Sequence, residues 1–410
     1  MASTATSESV ADAIGPLNLA IDHLEQELVG FRRDLHRHPE LAWEEHRTTQ
    51  RVADRLHAAG VSATRLDPTG LIADVGPADA AYRVGLRADL DALALPERTG
   101  LPFASAVTGV SHACGHDVHT AALLGAGLAL ANRQRVLDDL GLAVRLIFQP
   151  AEEVMPGGGR MVADSGVLAD VDRVFAVHCD PRRDAGTFGL RVGAITGASD
   201  AITVRLTGKG GHTSRPHLTA DLTYALAKVV TDVPAALSRR IDPRAGAALV
   251  WGSIHAGHAP NVIPDVGELQ GTLRMLDAQA WVGSETLVRK LIAEVVAPYG
   301  AVCEIDYRQG VPPVVNSPNG AAACTWAAAH GIGPESVGPT EQSLGGEDFA
   351  WLLQACEGAL VRLGTRTPGG RTYDLHQGDL IVDESAVGYG ARLLAALPFG
   401  ALAVRGLPPG

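Results

Sequence analysis

The stretch from Gly197 to about Gly310 constrains the fold most, because its pattern breaks the one on either side of it. Before it, Leu24, Leu28, Phe31 and Leu35 recur at helical spacing, and a second helical pattern runs from about Glu44 to Ala59 and stops at Gly60. Short apolar runs follow at Leu71–Val75, Tyr82–Leu86, Leu142–Phe148 and Val174–Val177, with a small-residue helix at Thr120–Ala131. Nearly continuous apolar strands alternating with helices read as a sheet covered on both faces. Inside the stretch the order becomes strand (Ala201–Leu206), helix (Ala220 to about Arg239), two strands (Ala247–Ile254, Glu268–Met275), helix (Ser284–Ala297) and strand (Val302–Arg308). That is the β-α-β-β-α-β order of a ferredoxin-like unit. After Pro312 the first style resumes, with helices near Asn319–His330, Glu347–Leu353 and Glu384–Ala396 and a strand at Ala359–Leu363. The expected fold class is α/β, a central mixed sheet interrupted by an α+β domain, with boundaries at 1–196, 197–310 and 311–410. Residues 1–20 read as frayed.

The chemistry concentrates in Ser111-His112-Ala113-Cys114-Gly115-His116-Asp117-Val118-His119-Thr120. Thiolate and imidazole are ligands that zinc and similar metals favour. Glu152-Glu153, His178 and His376 add donors, enough for two ions, and the indicated chemistry is metal-assisted hydrolysis. Asp89 and Asp91, Glu152 and Glu153, and His178 each follow an apolar run, and His376 lies in the loop after another. In open α/β sheets, ligands bind at those strand ends. Cys114 and His116 are two apart and in extended backbone leave one face. Adjacent Glu152 and Glu153 cannot share a direction, so one suits a metal and the other a general base.

Plainer readings stand beside these. Glu152 and Glu153 also fit the start of a helix. Asp89 is either the partner of a ligand histidine's second nitrogen or a turn acid, and Asp117 has the same ambiguity. Cys179 is a support beside His178 or a core residue. His36, His38, His46 and His57 read as solvated on surface helices. In the middle segment, His212 follows a glycine turn and suits an oxyanion, Asn261 suits a substrate oxygen, and Arg274 suits a carboxylate. On residue type alone, an ordinary surface role is the plainer reading of each, and a lone Arg at a strand end usually makes a surface ion pair.

These motifs resemble the amidohydrolase branch of the M20 metallopeptidase family, which includes aminoacylases, hippurate hydrolases and auxin-conjugate hydrolases. The matching segments are His36-Arg37-His38-Pro39-Glu40-Leu41, Arg87-Ala88-Asp89-Leu90-Asp91-Ala92-Leu93, His112-Ala113-Cys114-Gly115-His116-Asp117, Gln149-Pro150-Ala151-Glu152-Glu153, Gly208-Lys209-Gly210-Gly211-His212, Asn261-Val262-Ile263-Pro264-Asp265 and Glu347-Asp348-Phe349. The resemblance implies a metallopeptidase-type catalytic domain with a lid and dimerisation domain inserted in it. It implies metal ligands Cys114, His116, Glu153, His178 and His376, with Glu152 as acid/base and Asp89 as supporting carboxylate. It also implies substrate contacts from His212, Asn261 and Arg274, and two divalent ions drawn from zinc, manganese, cobalt or nickel. The implied reaction is hydrolysis of an N-acyl amino acid by a homodimer. A dipeptidase of the same family, or a metal-binding protein without activity, is the alternative. Val154-Met155-Pro156-Gly157-Gly158-Gly159-Arg160 departs from the family pattern beside the acyl pocket.

Charge and cysteine usage bound the rest. A net charge of −12 and a pI near 5.6 argue against nucleic acid and anionic membranes. No apolar run reaches the roughly 20 residues that span a bilayer, and Met1 to Ser9 lacks a signal-peptide pattern. Five widely spaced cysteines, Cys114, Cys179, Cys303, Cys324 and Cys356, suit a reducing cytoplasm rather than a disulfide scaffold.

Overall fold

A computed structural model describes residues 10–405. The reading of Met1 to Ser9 lies outside the described residues. Contacts divide the chain into two compact units, Met1–Gly193 with Val315–Glu341 and Asp348–Gly410, and Ala194–Val314 with Gln342–Glu347. The short return of 342–347 to the second unit has no signature in composition.

The first unit begins with helix α1 (Ile14–Arg37), whose Ile14, Leu17, Ile21, Leu28 and Leu35 are buried. The expected fraying therefore fails beyond Ile14, because the apolar stripe starts there and packs into the core. Helix α2 (His46–Ala58) leads to β1 (Ala63–Arg65), β2 (Leu71–Val75) and β3 (Tyr82–Asp89). A long loop then enters α3 (His116–Ala131), followed by α4 (Gln134–Leu140), β4 (Leu142–Gln149), α5 (Gly158–Asp164), β5 (Arg173–Asp184) and β6 (Phe188–Leu190).

The second unit holds β7 (Ala198–Thr207), α6 (Leu222–Leu237), β8 (Ala248–Ala256), β9 (Val266–Met275), α7 (Ser284–Val296) and β10 (Val302–Val311). Its strands pair antiparallel in the order β8-β9-β7-β10, the ferredoxin-like arrangement. Both helices pack on this sheet, and Leu222, Leu226, Val229, Val288 and Ile292 are buried.

The chain returns to the first unit with α8 (Pro318–Gly331), β11 (Val337–Pro339), α9 (Phe349–Ala355), β12 (Gly358–Arg366) and α10 (Ser385–Ala403). The eight-stranded sheet has the order β1-β2-β4-β3-β5-β12-β6-β11. Strands β4-β3-β5-β12 run parallel, with antiparallel neighbours outside them. β3 is buried along its whole length and β4 at all but one position, which is why both read as continuous apolar runs. Helix α10 corrects the expectation about apolar runs, since its 19 residues are long and apolar enough to cross a bilayer. It is instead a core helix, buried along most of its length against α1, α3 and α8.

Candidate metal centre

The parallel register brings the chemistry to one level. Asp89 stands opposite Gln149, and Arg87 opposite Ala176, which sets Asp89 level with His178 two residues on. The thiol-imidazole segment then turns sharply. Gly115 has φ +86°, and a Cβ there would stand 2.7 Å from Cys179 Sγ, so glycine is required. His116 opens helix α3 rather than extending a strand. Cys114 and His116 therefore reach one site through a turn and not, as the spacing suggested, through extended backbone.

Hydrogen bonds settle which imidazole nitrogens can serve as ligands. His116 Nδ1 donates to the Asp91 carbonyl at 2.9 Å, which leaves the lone pair on Nε2. That atom is buried without a hydrogen-bond partner, 3.8 Å from Glu153 Oε1 and 4.0 Å from Glu152 Oε2. His178 Nδ1 donates to the Cys179 carbonyl at 2.9 Å, and its Nε2 faces Cys114 Sγ at 3.7 Å. His376 Nε2 stands 3.2 Å from Glu153 Oε1. Its backbone has a left-handed φ of +58° and donates to the Ala113 carbonyl at 2.8 Å. Among the described residues the donors form several groups, and two of them, Cys114-His116-His178 and Cys114-Glu153-His376, share Cys114; Glu152 groups in turn with His116 and Glu153. An orphaned buried nitrogen beside carboxylates, a thiol and further imidazoles is a donor set that fits a pair of divalent cations.

The local field agrees. Burial disfavours a charged His116, but Asp89, Asp91 and Glu153 outweigh it and raise the imidazole to about 10. The position therefore calls for positive charge. Burial, followed by the charges of Glu153, Glu152 and Asp89, holds the Cys114 thiol well above its usual range. A cation binding there must displace the thiol proton. Burial, with Arg362 adding to it, keeps His178 neutral.

Asp89 makes its side-chain hydrogen bonds away from His116. Its Oδ1 binds His119 Nδ1 at 2.6 Å and its Oδ2 binds Arg87 Nη1 at 2.7 Å, whereas His116 Nδ1 is 3.8 Å away. His119 Nε2 in turn accepts the Cys179 N–H at 2.8 Å, so this imidazole is committed at both nitrogens and has no lone pair for a metal. Asp91 touches His116, Glu152 and Glu153 directly. Its carbonyl orients His116, and its two carboxylate oxygens accept the backbone N–H groups of Glu152 (3.0 Å) and Glu153 (2.9 Å). The alternation Asp-Leu-Asp points both acids to one side of the chain, so residue type alone could not tell them apart. Asp91→Ala strands two amides, which costs about 1–3 kcal/mol each. It is expected to lower kcat on the order of 100-fold by misplacing the pair, as thermal melts and steady-state kinetics would show.

Glu152 and Glu153 lie in a bend ahead of α5, not at a helix start. The far end of the loop is held by Asp348, which accepts from Arg87 Nη2 (2.7 Å), Gln149 Nε2 (2.8 Å) and the Gly159 amide (2.7 Å). A Cβ at Gly159 would meet the Asp348 carbonyl at 2.4 Å, so the glycine run is needed for this close approach.

His36 is buried and not solvated as its residue type suggested. It is 3% exposed, with Nδ1 on Asp117 Oδ2 (2.9 Å) and Nε2 on Glu97 Oε1 (3.2 Å), and Arg32 Nε completes the cluster on Asp117 at 2.6 Å. Arg32 and His36 share the buried stripe of α1 with Leu28 and Leu35, a periodicity that marks them as inward-facing. His38 is half-buried, and His46 and His57 are exposed, as expected. Burial raises the Glu97 carboxyl, but bonds from His36, Thr99 and the Ser105 amide outweigh it and pull the carboxyl from 4.5 to about 2. A depressed acid contributes stability above its unfolded value that is lost as pH falls. Stability is thus expected to fall on the order of 3 kcal/mol between pH 4.5 and 2 through this group. Glu97→Gln flattens that segment of a urea-midpoint against pH plot; an unchanged slope contradicts the assignment.

His212, Asn261 and Arg274 belong to the second unit. His212 pairs with Val262 in a two-residue ladder, and its Nδ1 accepts the Ser214 amide at 3.1 Å, so its proton sits on Nε2. The Asn261 carbonyl accepts the Thr213 amide at 3.2 Å, and half-buried Arg274 donates to the Leu344 carbonyl at 3.2 Å. All five cysteines are unpaired, with Cys303 half-buried and the others buried.

Residues 85–398 match the profile of peptidase family M20/M25/M40. A Rhodococcus jostii protein with the provisional name glutamate–cysteine ligase 2-3 is 46% identical over 91% of this chain, which spans only 46% of that relative. Thermostable carboxypeptidase 1 of Saccharolobus solfataricus is 34% identical over 94% of this chain and 98% of its own length. N-acetyl-L-cysteine deacetylase of Bacillus subtilis is 35% identical over 91% and 87%. A crystal structure of a dinuclear metal-binding peptidase of the M20 family from Bacillus subtilis superposes with a TM-score of 0.78 at 32% identity, covering 92% of this chain and 98% of that one.

Proposed function

The chain belongs to peptidase family M20/M25/M40, and from that premise we propose that it is a two-metal amidohydrolase. Its reaction is cleavage of an N-acyl amino acid to a carboxylic acid and a free amino acid. The single observation that carries this reading is the pair of three-donor groups that share Cys114, with Glu152 Oε2 standing 4.0 Å from His116 Nε2 as the candidate for proton transfer.

In this reading Cys114, His116 and His178 would hold one divalent ion, and Cys114, Glu153 and His376 would hold the other. When bound, the ions supply Lewis-acid polarisation of the scissile carbonyl and an acidified water. Glu152, whose side chain is 8% exposed, takes the water proton and returns it to the leaving amide nitrogen. Asp91 accepts the backbone amides of Glu152 and Glu153 and so fixes the chain from which both carboxylates project. Asp89 secures the scaffold through His119 and Arg87. His212 offers its Nε2–H to the developing oxyanion, while Asn261 and Arg274 hold the free carboxylate of the amino acid. The second unit then serves as lid and as the contact of a homodimer, which light scattering at several concentrations would test. Unpaired cysteines and acidic charge suit the cytoplasm.

A panel of acetylated, benzoylated and longer-chain N-acyl amino acids tests the reading, with N-acetylcysteine included because relatives carry that name. Release of a free amino acid from one acyl class, dependent on added zinc, manganese, cobalt or nickel, supports it. Dipeptides belong in the panel as well, since a relative is named a carboxypeptidase. Preference for them would move the assignment to peptide cleavage by the same centre.

A further inference from the structure

The loop that carries Glu152 and Glu153 begins at a strained point. Ala151 has φ +54°, a left-handed conformation that an alanine adopts only where its surroundings over-determine it. Its N–H donates to Glu45 Oε1 at 2.7 Å, and Glu45 Oε2 accepts from the Thr69 hydroxyl at 2.6 Å. Glu45 is fully buried (0%) and lies 106 residues before Ala151 in the chain. Burying a carboxylate is costly unless its bonds repay it, and the proposed reaction makes no use of this one. Three buried acids thus share the backbone amides of one loop. Glu45 takes Ala151, Asp91 takes Glu152 and Glu153, and Asp348 takes Gly159. Only Glu45 acts on the residue whose backbone is strained.

We propose that Glu45 is a positioning residue whose carboxylate locks Ala151 in its left-handed turn, and thereby aims Glu153 at the metal-ligand cluster and Glu152 at the substrate. The inference rests on the proposed roles of Glu152 and Glu153. It explains why an acid just ahead of α2, outside every chemical motif of the sequence, is kept where no solvent reaches it.

The test compares wild type, Glu45→Ala, Glu45→Gln, Ala151→Gly and the double variant Glu45→Ala/Ala151→Gly. Zinc affinity is read by competition with a chromophoric chelator, and kcat and KM on the best panel substrate. Glu45→Ala is expected to weaken zinc binding by about 10- to 100-fold and to lower kcat on the order of 100-fold, with KM little changed. Glu45→Gln retains an acceptor for the Ala151 amide and stays near wild type, as does Ala151→Gly. In the double variant, glycine adopts the left-handed turn without strain, so about tenfold of both losses returns. Loss of a merely structural acid would not be repaired by removing a methyl group elsewhere. Should Glu45→Ala not fold, Glu45→Asp keeps the buried charge but withdraws the acceptor, and carries the same expectations with and without Ala151→Gly. Unchanged zinc affinity and kcat in Glu45→Ala or Glu45→Asp, or losses that Ala151→Gly does not relieve, would overturn the inference. Failure of the functional reading looks different: no turnover by wild type, or Glu153→Ala binding zinc normally. The zinc series needs no substrate and decides the role of Glu45 in the first of these cases.

Discussion

Glu152→Gln is expected to lower kcat about 1,000- to 10,000-fold while metal stoichiometry and fold stay as in wild type. The side chains are nearly isosteric, and the Asp91 bond to residue 152 is made by the backbone, so the loop keeps its shape. What disappears is the ability to hold a proton between the water and the leaving nitrogen. The loss should fall on kcat and kcat/KM together, because the group acts in the transition state rather than in binding. Metal analysis alongside kinetics separates this outcome from a trivial one. A variant that loses metal as well as turnover would make Glu152 a ligand, and a variant that keeps turnover would remove it from the reaction.

Cys114→Ala is the second large effect. Cys114 is the donor common to the two groups proposed to hold the ions, so its removal weakens both sites at once, whereas His376→Ala removes a donor from only one. In wild type, a metal held at 100 times its dissociation constant stabilises the fold by about 2.7 kcal/mol. The expectation for Cys114→Ala is a melting temperature that no longer responds to added zinc, together with loss of turnover. The metal-free variant should melt close to metal-free wild type, since the thiol makes no hydrogen bond shorter than its 3.7 Å contact with His178. A variant that still shows the full zinc-dependent shift would mean that the ions sit elsewhere.

The legible parts of this protein are those where one physical signal dominates. β3 and β4 are buried at nearly every position, so their apolar runs needed no context. The β-α-β-β-α-β order of the second unit followed from half-buried alternation, as in β9 and β10. Cys114, His116, His178, His376 and the Glu152-Glu153 pair stood out because a thiol, imidazoles and paired acids near strand ends are unusual, while the choice of Glu153 over Glu152 came only from the family resemblance. The illegible parts depend on partners distant in sequence. Asp89 and Asp91 are chemically identical and two apart, and only the positions of His119 and the Glu152 amide separate their roles. His36 reads as a surface histidine until Asp117 and Glu97 are seen around it. Ala151 gives no hint of a left-handed backbone, because that signal is normally glycine. Glu45 looks like any polar residue at the start of a helix. The common cause is that buried charge is tolerated only in pairs, and the pairing is a property of the fold.

The most direct test of the central claim is a metal titration of exhaustively chelated protein, following hydrolysis of the best N-acyl amino acid and bound zinc in one series. The chelated protein is expected to show negligible turnover, with activity that rises with metal and saturates at two ions per chain. Full turnover in protein shown to hold no metal would contradict the claim.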